Sequence, residues 1–177
     1  MEEWTLPGLS HSTTPRPWRS CSAPTATSSP PWDPARDAAW LTVDAQRTVI
    51  RNARAEHEQG RCLPHVILDE AGRVAGRITL SGIVRGAFQS CSVGFWLDEA
   101  HGGRGLASAA VRHVAQLAFG ELRLHRIQAE TLPHNVRSQR VLERTGFTRF
   151  GMAPAYLKIA GRWQDHVMWQ LLNPAGT

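Results

Sequence analysis

The stretch GGRGLASAAVRH, residues 102–113, places three glycines and an arginine in four positions directly before a helix-forming run. Glycine at that density weakens regular structure, so its use implies left-handed backbone angles or close approach by another group. The run before it, SCSVGFWLDE, sets Cys91, Val93, Phe95 and Leu97 on one face of a strand. The run after it places Ala107, Ala110, Val111, Val114, Leu117 and Ala118 on one helical stripe. Strand, glycine turn and helix in that order make an anion site, because the first helical amides stand unpaired and the macrodipole adds positive potential. An ordinary strand-to-helix turn remains the plainer reading of the same residues. A nucleotide P-loop is excluded, since no Lys-Ser/Thr follows the glycines, and so is the G-x-G-x-x-G dinucleotide turn.

The remaining segments supply a context for that turn. DPARDAAWLTVDAQRTVIRNARAEHEQG spaces Ala39, Leu41, Val43, Val49 and Ile50 among charges and ends at Gly60, predicting one or two helices. HVILDEAGRVAGRITLSGIV predicts a hairpin around Asp-Glu-Ala-Gly-Arg. HRIQAETL predicts a short strand, and NVRSQRVLERTG a helix capped by Asn135 and closed by Gly146. The last segment predicts two strands joined near Ala160-Gly161. Asn135 and Ser138 lie one helical turn apart just past a strand end. They form either a polar pair beside a ligand extending from the glycine turn, or an N-cap and a surface serine.

The first 31 residues differ, being rich in Ser, Thr and Pro without period, and are expected to be an irregular, disordered leader to a domain spanning 32–177. One choice of codons for Pro17–Pro30 encodes an amphipathic helix when read from the third base. Residues 8–30 are therefore a candidate out-of-frame segment, with the frame returning near Pro31–Trp32. The net charge of +5 fits an anionic partner or an arginine-rich genome equally well. No apolar run is long enough for a membrane span, and no signal pattern opens the chain. Cys21, Cys62 and Cys91 lack metal-ligand spacing and read as reduced thiols, so a cytoplasmic protein without a metal is expected.

GGRGLASAAV, HRIQAETLPHNVRSQRVLERTGF and AYLKIAGRWQDHVMWQLL together resemble the GNAT acetyltransferases, and within them the RimJ/RimL branch that acetylates ribosomal-protein N-termini. The resemblance covers about residues 32–173. It implies a mixed α/β fold with a mostly antiparallel sheet flanked by helices, its first strand and helix missing or altered here.

Acetyl-CoA is the implied co-substrate. Backbone amides of Gly102, Gly103, Arg104, Gly105, Leu106 and Ala107 are expected to hold its pyrophosphate, with Gly102 standing where the family has Gln or Arg. The strand carrying Phe95 and Leu97 is expected to bind the pantetheine arm. Arg104, Arg137 and Arg140 are candidates for the terminal phosphate or are solvated charges. Leu142 occupies the position of a family tyrosine acid, which leaves Ser138 to protonate the sulfur and Asn135 to orient the cofactor. Glu130 corresponds to a general base acting through water, or is a surface carboxylate. Tyr156 is expected to close the acceptor groove, and Asp165 with His166 to line it or to stabilise the last strand.

The expected reaction is direct acetyl transfer to a protein N-terminal amine, with small-subunit ribosomal proteins among the acceptors and no direct nucleic-acid contact. The alternatives are a small-molecule amine (aminoglycoside, amino acid or polyamine) and a catalytically impaired coenzyme A binder. A polyamine groove would be strongly acidic, whereas this chain is basic.

Overall fold

Period-two and helical patterns in the second half of the chain form elements in the expected order. The computed structural model describes residues 9–10 and 42–175. The elements are β1 (Leu9–Ser10), α1 (Val43–Glu58), β2 (Leu63–Leu68), β3 (Val74–Val84), β4 (Ser90–Leu97), α2 (Leu106–Gly120), β5 (Arg126–Thr131), α3 (Val136–Arg144), β6 (Thr148–Ile159) and β7 (Arg162–Leu172). A 3-10 turn over Glu99–His101 joins β4 to the glycine segment. The seven strands form one sheet in the order β1-β2-β3-β4-β5-β7-β6. Every neighbouring pair is antiparallel except β4 with β5, which α2 connects as a crossover.

Leu9 and Ser10 pair with Ile67 and Val66, so the leader is not irregular at those two residues, whose backbone groups find partners on the edge of β2. Apart from Leu9 and Ser10, the candidate out-of-frame segment and the helical run before Thr42 lie outside the described residues.

The core is built from the predicted faces. Ile78 and Leu80 of β3, Cys91 and Val93 of β4, and Ile127 and Ala129 of β5 are buried with Ala110, Val111, Val114 and Ala118 of α2. Each such aliphatic side chain the size of Val, Leu or Ile contributes about 1.5–3 kcal/mol when fully buried. Leu142 is wholly inaccessible within this cluster, which fixes α3 against it and keeps that position apolar. In α1, Val43 and Ile50 are exposed and Gln46 is the buried residue. Ala160 and Gly161, both at positive φ, make the tight turn between β6 and β7.

The feature that positions everything below is where the parallel pair ends. β4 and β5 pair only at Ser90↔Arg126, Cys91↔Ile127 and Ser92↔Gln128, then diverge.

Candidate active site

Beyond Ser92, β4 remains paired on its other side with β3, through Leu80↔Val93 down to Gly76↔Leu97. Likewise Ala129, Glu130 and Thr131 of β5 pair only with β7. Two strand edges therefore face one another without a shared ladder. An extended ligand carrying its own amides can bond to such edges as an added strand would. Phe95 and Leu97 are partly buried and their side chains pack against the core.

At the open end, the chain leaving β4 turns through the 3-10 segment, with Asp98 Oδ1 capping Ala100 at 2.9 Å. It enters α2 through Gly103 at φ 76° and Gly105 at φ 80°, left-handed angles that glycine adopts without strain. Gly105 is the N-cap and no side chain caps this helix. The first intrahelical bond is Ala109 N to Gly105 O at 2.9 Å, which leaves the amides of Leu106, Ala107 and Ser108 directed outward. Gly102 has an ordinary φ of −63°. A Cβ there would lie 3.1 Å from Glu99 O, so a larger residue needs a small local shift.

The N-terminus of α3 stands beside this loop. Asn135 Oδ1 accepts the Ser138 amide at 3.2 Å, so the predicted cap is present. Arg137 Nη1 pairs with Glu99 Oε1 at 3.0 Å and ties α3 to the 3-10 turn. Arg104 Nη2 pairs with Glu70 Oε1 of the β2–β3 turn at 2.9 Å. Both pairs are exposed and worth little in water. Arg140 is exposed on α3.

In the gap, Glu130 lies on the face of β5 opposite Ala129 and accepts a hydrogen bond from Ser92 Oγ at 3.1 Å. Burial pushes its carboxyl above the ordinary range, against the opposing pull of the Ser92 bond and of His166. Tyr156 lies in the same neighbourhood: its ring centroid is 5.8 Å from that of His166. Burial, and then the charge of Glu130, push its phenol upward. His166 is buried, with Nδ1 3.0 Å from the Gln164 carbonyl. The sheet thus brings Glu130, Tyr156 and His166 together. Glu130 is partly buried there.

Asp165 is placed otherwise. It borders a groove of about 640 Å³ with Pro133, His134, Ala160, Arg162, Trp163 and Gln164. Its Oδ1 accepts the Ala155 amide at 2.8 Å. Ser92 is a site residue that sequence reasoning missed; the polar alternation Ser90-Ser92-Gly94 on β4 is the signal that marks its face. Cys91 is no nucleophile, since burial pushes its thiol to about 12. Among the described residues no cluster of His, Cys, Asp and Glu could hold a metal. No described helix is long and apolar enough to cross a membrane.

A sheet that parts at a parallel pair, above an uncapped glycine-led helix, defines an acyl-CoA N-acyltransferase fold. The chain belongs to the GNAT acetyltransferase family: the model of the acetyltransferase (GNAT) domain matches residues 14–148, starting ahead of Trp32. It is 47% identical over 136 residues to the "Probable N-acetyltransferase YjcK" of Bacillus subtilis, covering 76% of this chain and 75% of that protein. To the Escherichia coli ribosomal protein uS5 alanine N-acetyltransferase it is 32% identical over 148 residues, covering 83% and 76%. The structure of Mycobacterium smegmatis RimJ in complex with CoA-disulfide superimposes with a TM-score of 0.77 at 32% identity, covering 80% of this chain and 69% of that one.

Proposed function

We propose that this chain transfers acetyl from acetyl-CoA directly to the N-terminal α-amine of a protein, with ribosomal proteins as the acceptor class. The observation that carries the reading is the partly buried Glu130 carboxylate, held by Ser92 in the gap where β4 and β5 no longer share a ladder. The relatives named for ribosomal-protein acetylation and for a coenzyme A complex support the acceptor class and the co-substrate.

In this reading the pyrophosphate rests on the outward amides from Gly102 to Ala107, and the pantetheine arm bonds to the free edge of β4 alongside Phe95 and Leu97. Arg104 and Arg140 serve the phosphates. The acceptor amine gives a proton to Glu130 through water, and its nitrogen attacks the thioester carbonyl. The tetrahedral intermediate then collapses, the carbon–sulfur bond breaks, and the Ser138 hydroxyl donates a proton to the departing thiolate. Asn135 orients the cofactor and Tyr156 closes the site over the amine. A raised carboxyl suits a base working near neutral pH, where proton-transfer driving force and ionised fraction are balanced. Transfer is direct because the buried Cys91 thiol stays protonated.

The test is transfer of labelled acetyl from acetyl-CoA to a synthetic peptide beginning with alanine, using residues 1–177. Labelling that requires a free N-terminus supports the reading. Labelling of spermidine or an aminoglycoside in preference to the peptide overturns the acceptor class, and coenzyme A binding without any transfer overturns the enzymatic role.

A further inference from the structure

The β6–β7 hairpin contains a distortion whose position matters for the site. After a first register shift between Arg149 and Gly151, the two strands pair through Ala153↔His166, break, and resume at Leu157↔Gln164. Pro154, Ala155 and Tyr156 therefore stand opposite Asp165 alone. Bulges of this kind bend a strand and re-aim a side chain, and they recur beside active sites. Ala155, at φ 46°, occupies the left-handed region that residues with a Cβ avoid. Such a conformation persists only where its surroundings hold it.

What holds it is visible. The Ala155 amide, displaced from the ladder, donates to Asp165 Oδ1 at 2.8 Å from across the hairpin. The next residue is Tyr156, whose ring meets His166 and whose phenol feels the charge of Glu130. In regular register Tyr156 would lie opposite Trp163, at the far end of the hairpin; the extra residues carry it back toward His166. Asp165 is itself exposed, so its carboxylate incurs little desolvation cost for making this bond.

We propose that Asp165 is a positioning residue for acetyl transfer: it pins the Ala155 amide so that the β6 bulge presents Tyr156 to Glu130 and His166. This develops the structural alternative expected for Asp165 over the groove-lining one, and rests on the reading of Glu130 as the base.

Tyr156 is the single tyrosine of the chain, so a sample labelled with ring-carbon-13 tyrosine reports on that ring alone. In the full chain, Asp165→Ala is expected to shift the ring signal and to lower kcat roughly tenfold, a loss of about 1.4 kcal/mol in transition-state stabilisation, with coenzyme A affinity held. Asp165→Asn keeps an acceptor oxygen at the same place without the charge, and is expected to retain the wild-type signal and turnover. In the double variant Asp165→Ala, Tyr156→Ala, turnover is expected to match that of Tyr156→Ala alone. An unmoved ring signal in Asp165→Ala overturns the proposal. So does an Asp165→Asn variant with a native signal and lost turnover, which assigns the carboxylate to acceptor binding instead. Should Asp165→Ala fail to fold, the Asp165→Asn comparison decides alone. A wild-type chain that acetylates no peptide, yet whose ring signal responds as described, sinks the peptide-acceptor reading and leaves the placement of Tyr156 by Asp165 standing.

Discussion

Ser92 Oγ donates to Glu130 Oε1 at 3.1 Å at the point where β4 and β5 part, a contact between residues 38 positions apart. Glu130 is buried enough to hold its proton above the ordinary carboxylate range, and the Ser92 bond works against that shift by stabilising the ionised form. Substituting Ser92 with Ala removes the donor and leaves burial unopposed at that oxygen. The carboxyl then titrates still higher, so the acid limb of the kcat/KM profile is expected to move to higher pH. Well above that limb the variant should stay within about threefold of wild type, since the base is ionised in both. A pH–rate series checks this; a limb that does not move removes Glu130 as the group being titrated.

Asp69 predicts a different pH response, in stability. Its Oδ1 accepts the Arg73 amide at 2.8 Å and the Ala71 amide at 3.0 Å, while Oδ2 meets Arg73 Nε at 2.8 Å and His101 Nε2 at 3.4 Å. These contacts, led by the Arg73 amide, hold its carboxyl at about 2, below the ordinary 3.8. A pKa lower in the folded state means that the unfolded chain binds more protons in this window. The contribution is full above the ordinary value and is lost as pH falls from about 4 to about 2. Asp69→Asn is expected to be less stable than wild type at neutral pH, with the gap closing across that window. Urea midpoints at a series of pH values read it directly, and parallel curves throughout would contradict it.

Gly105 makes the cofactor loop sensitive to a single methyl group. An added Cβ meets nothing within 4 Å, so no clash is involved. Its φ of 80° is the whole obstacle. A left-handed alanine costs about 1–2 kcal/mol, and the loop either bears that strain or relaxes and turns its amides away. Gly105→Ala is expected to weaken acetyl-CoA binding by roughly tenfold or to lower stability by the equivalent amount. Calorimetric binding together with a melting curve distinguishes the two. Unchanged values in both would remove the loop geometry from the explanation of cofactor binding.

The parts of this molecule that were readable in sequence are those whose physics is local. The glycine turn shows itself because positive φ at Gly103 and Gly105 demands that residue type. The cap at Asn135 shows itself because Oδ1 reaches an amide three residues on. Contacts set by register do not announce themselves. Ser92 reaches Glu130 only because α2 returns the chain to a parallel pairing of three residue pairs. The pairs Arg104–Glu70 and Arg137–Glu99 join residues that charge counting treats as independent. The β6 bulge has no local mark beyond Pro154, so the bond from the Ala155 amide to Asp165 is not visible in the sequence. Which side of α1 faces inward is likewise set by packing, which buries Gln46 and leaves Val43 and Ile50 exposed.

Ser138 and Asn135 separate fold from chemistry within one turn of α3. The cap uses the Ser138 amide, not its hydroxyl, so Ser138→Ala leaves the hydrogen bond to Asn135 Oδ1 in place. Stability and acetyl-CoA binding are therefore expected to stay near wild type. Turnover should fall by roughly 100- to 10,000-fold, the range a positioned proton donor contributes. Asn135→Ala has the opposite signature: it removes the cap acceptor and costs about 1 kcal/mol of stability, with cofactor binding weakened as the turn loosens. Single-turnover rates, coenzyme A affinity and melting temperature on the two variants make the comparison. Should Ser138→Ala turn over at the wild-type rate, the thiolate takes its proton from another donor, and Tyr156, already beside Glu130, is the side chain to substitute next.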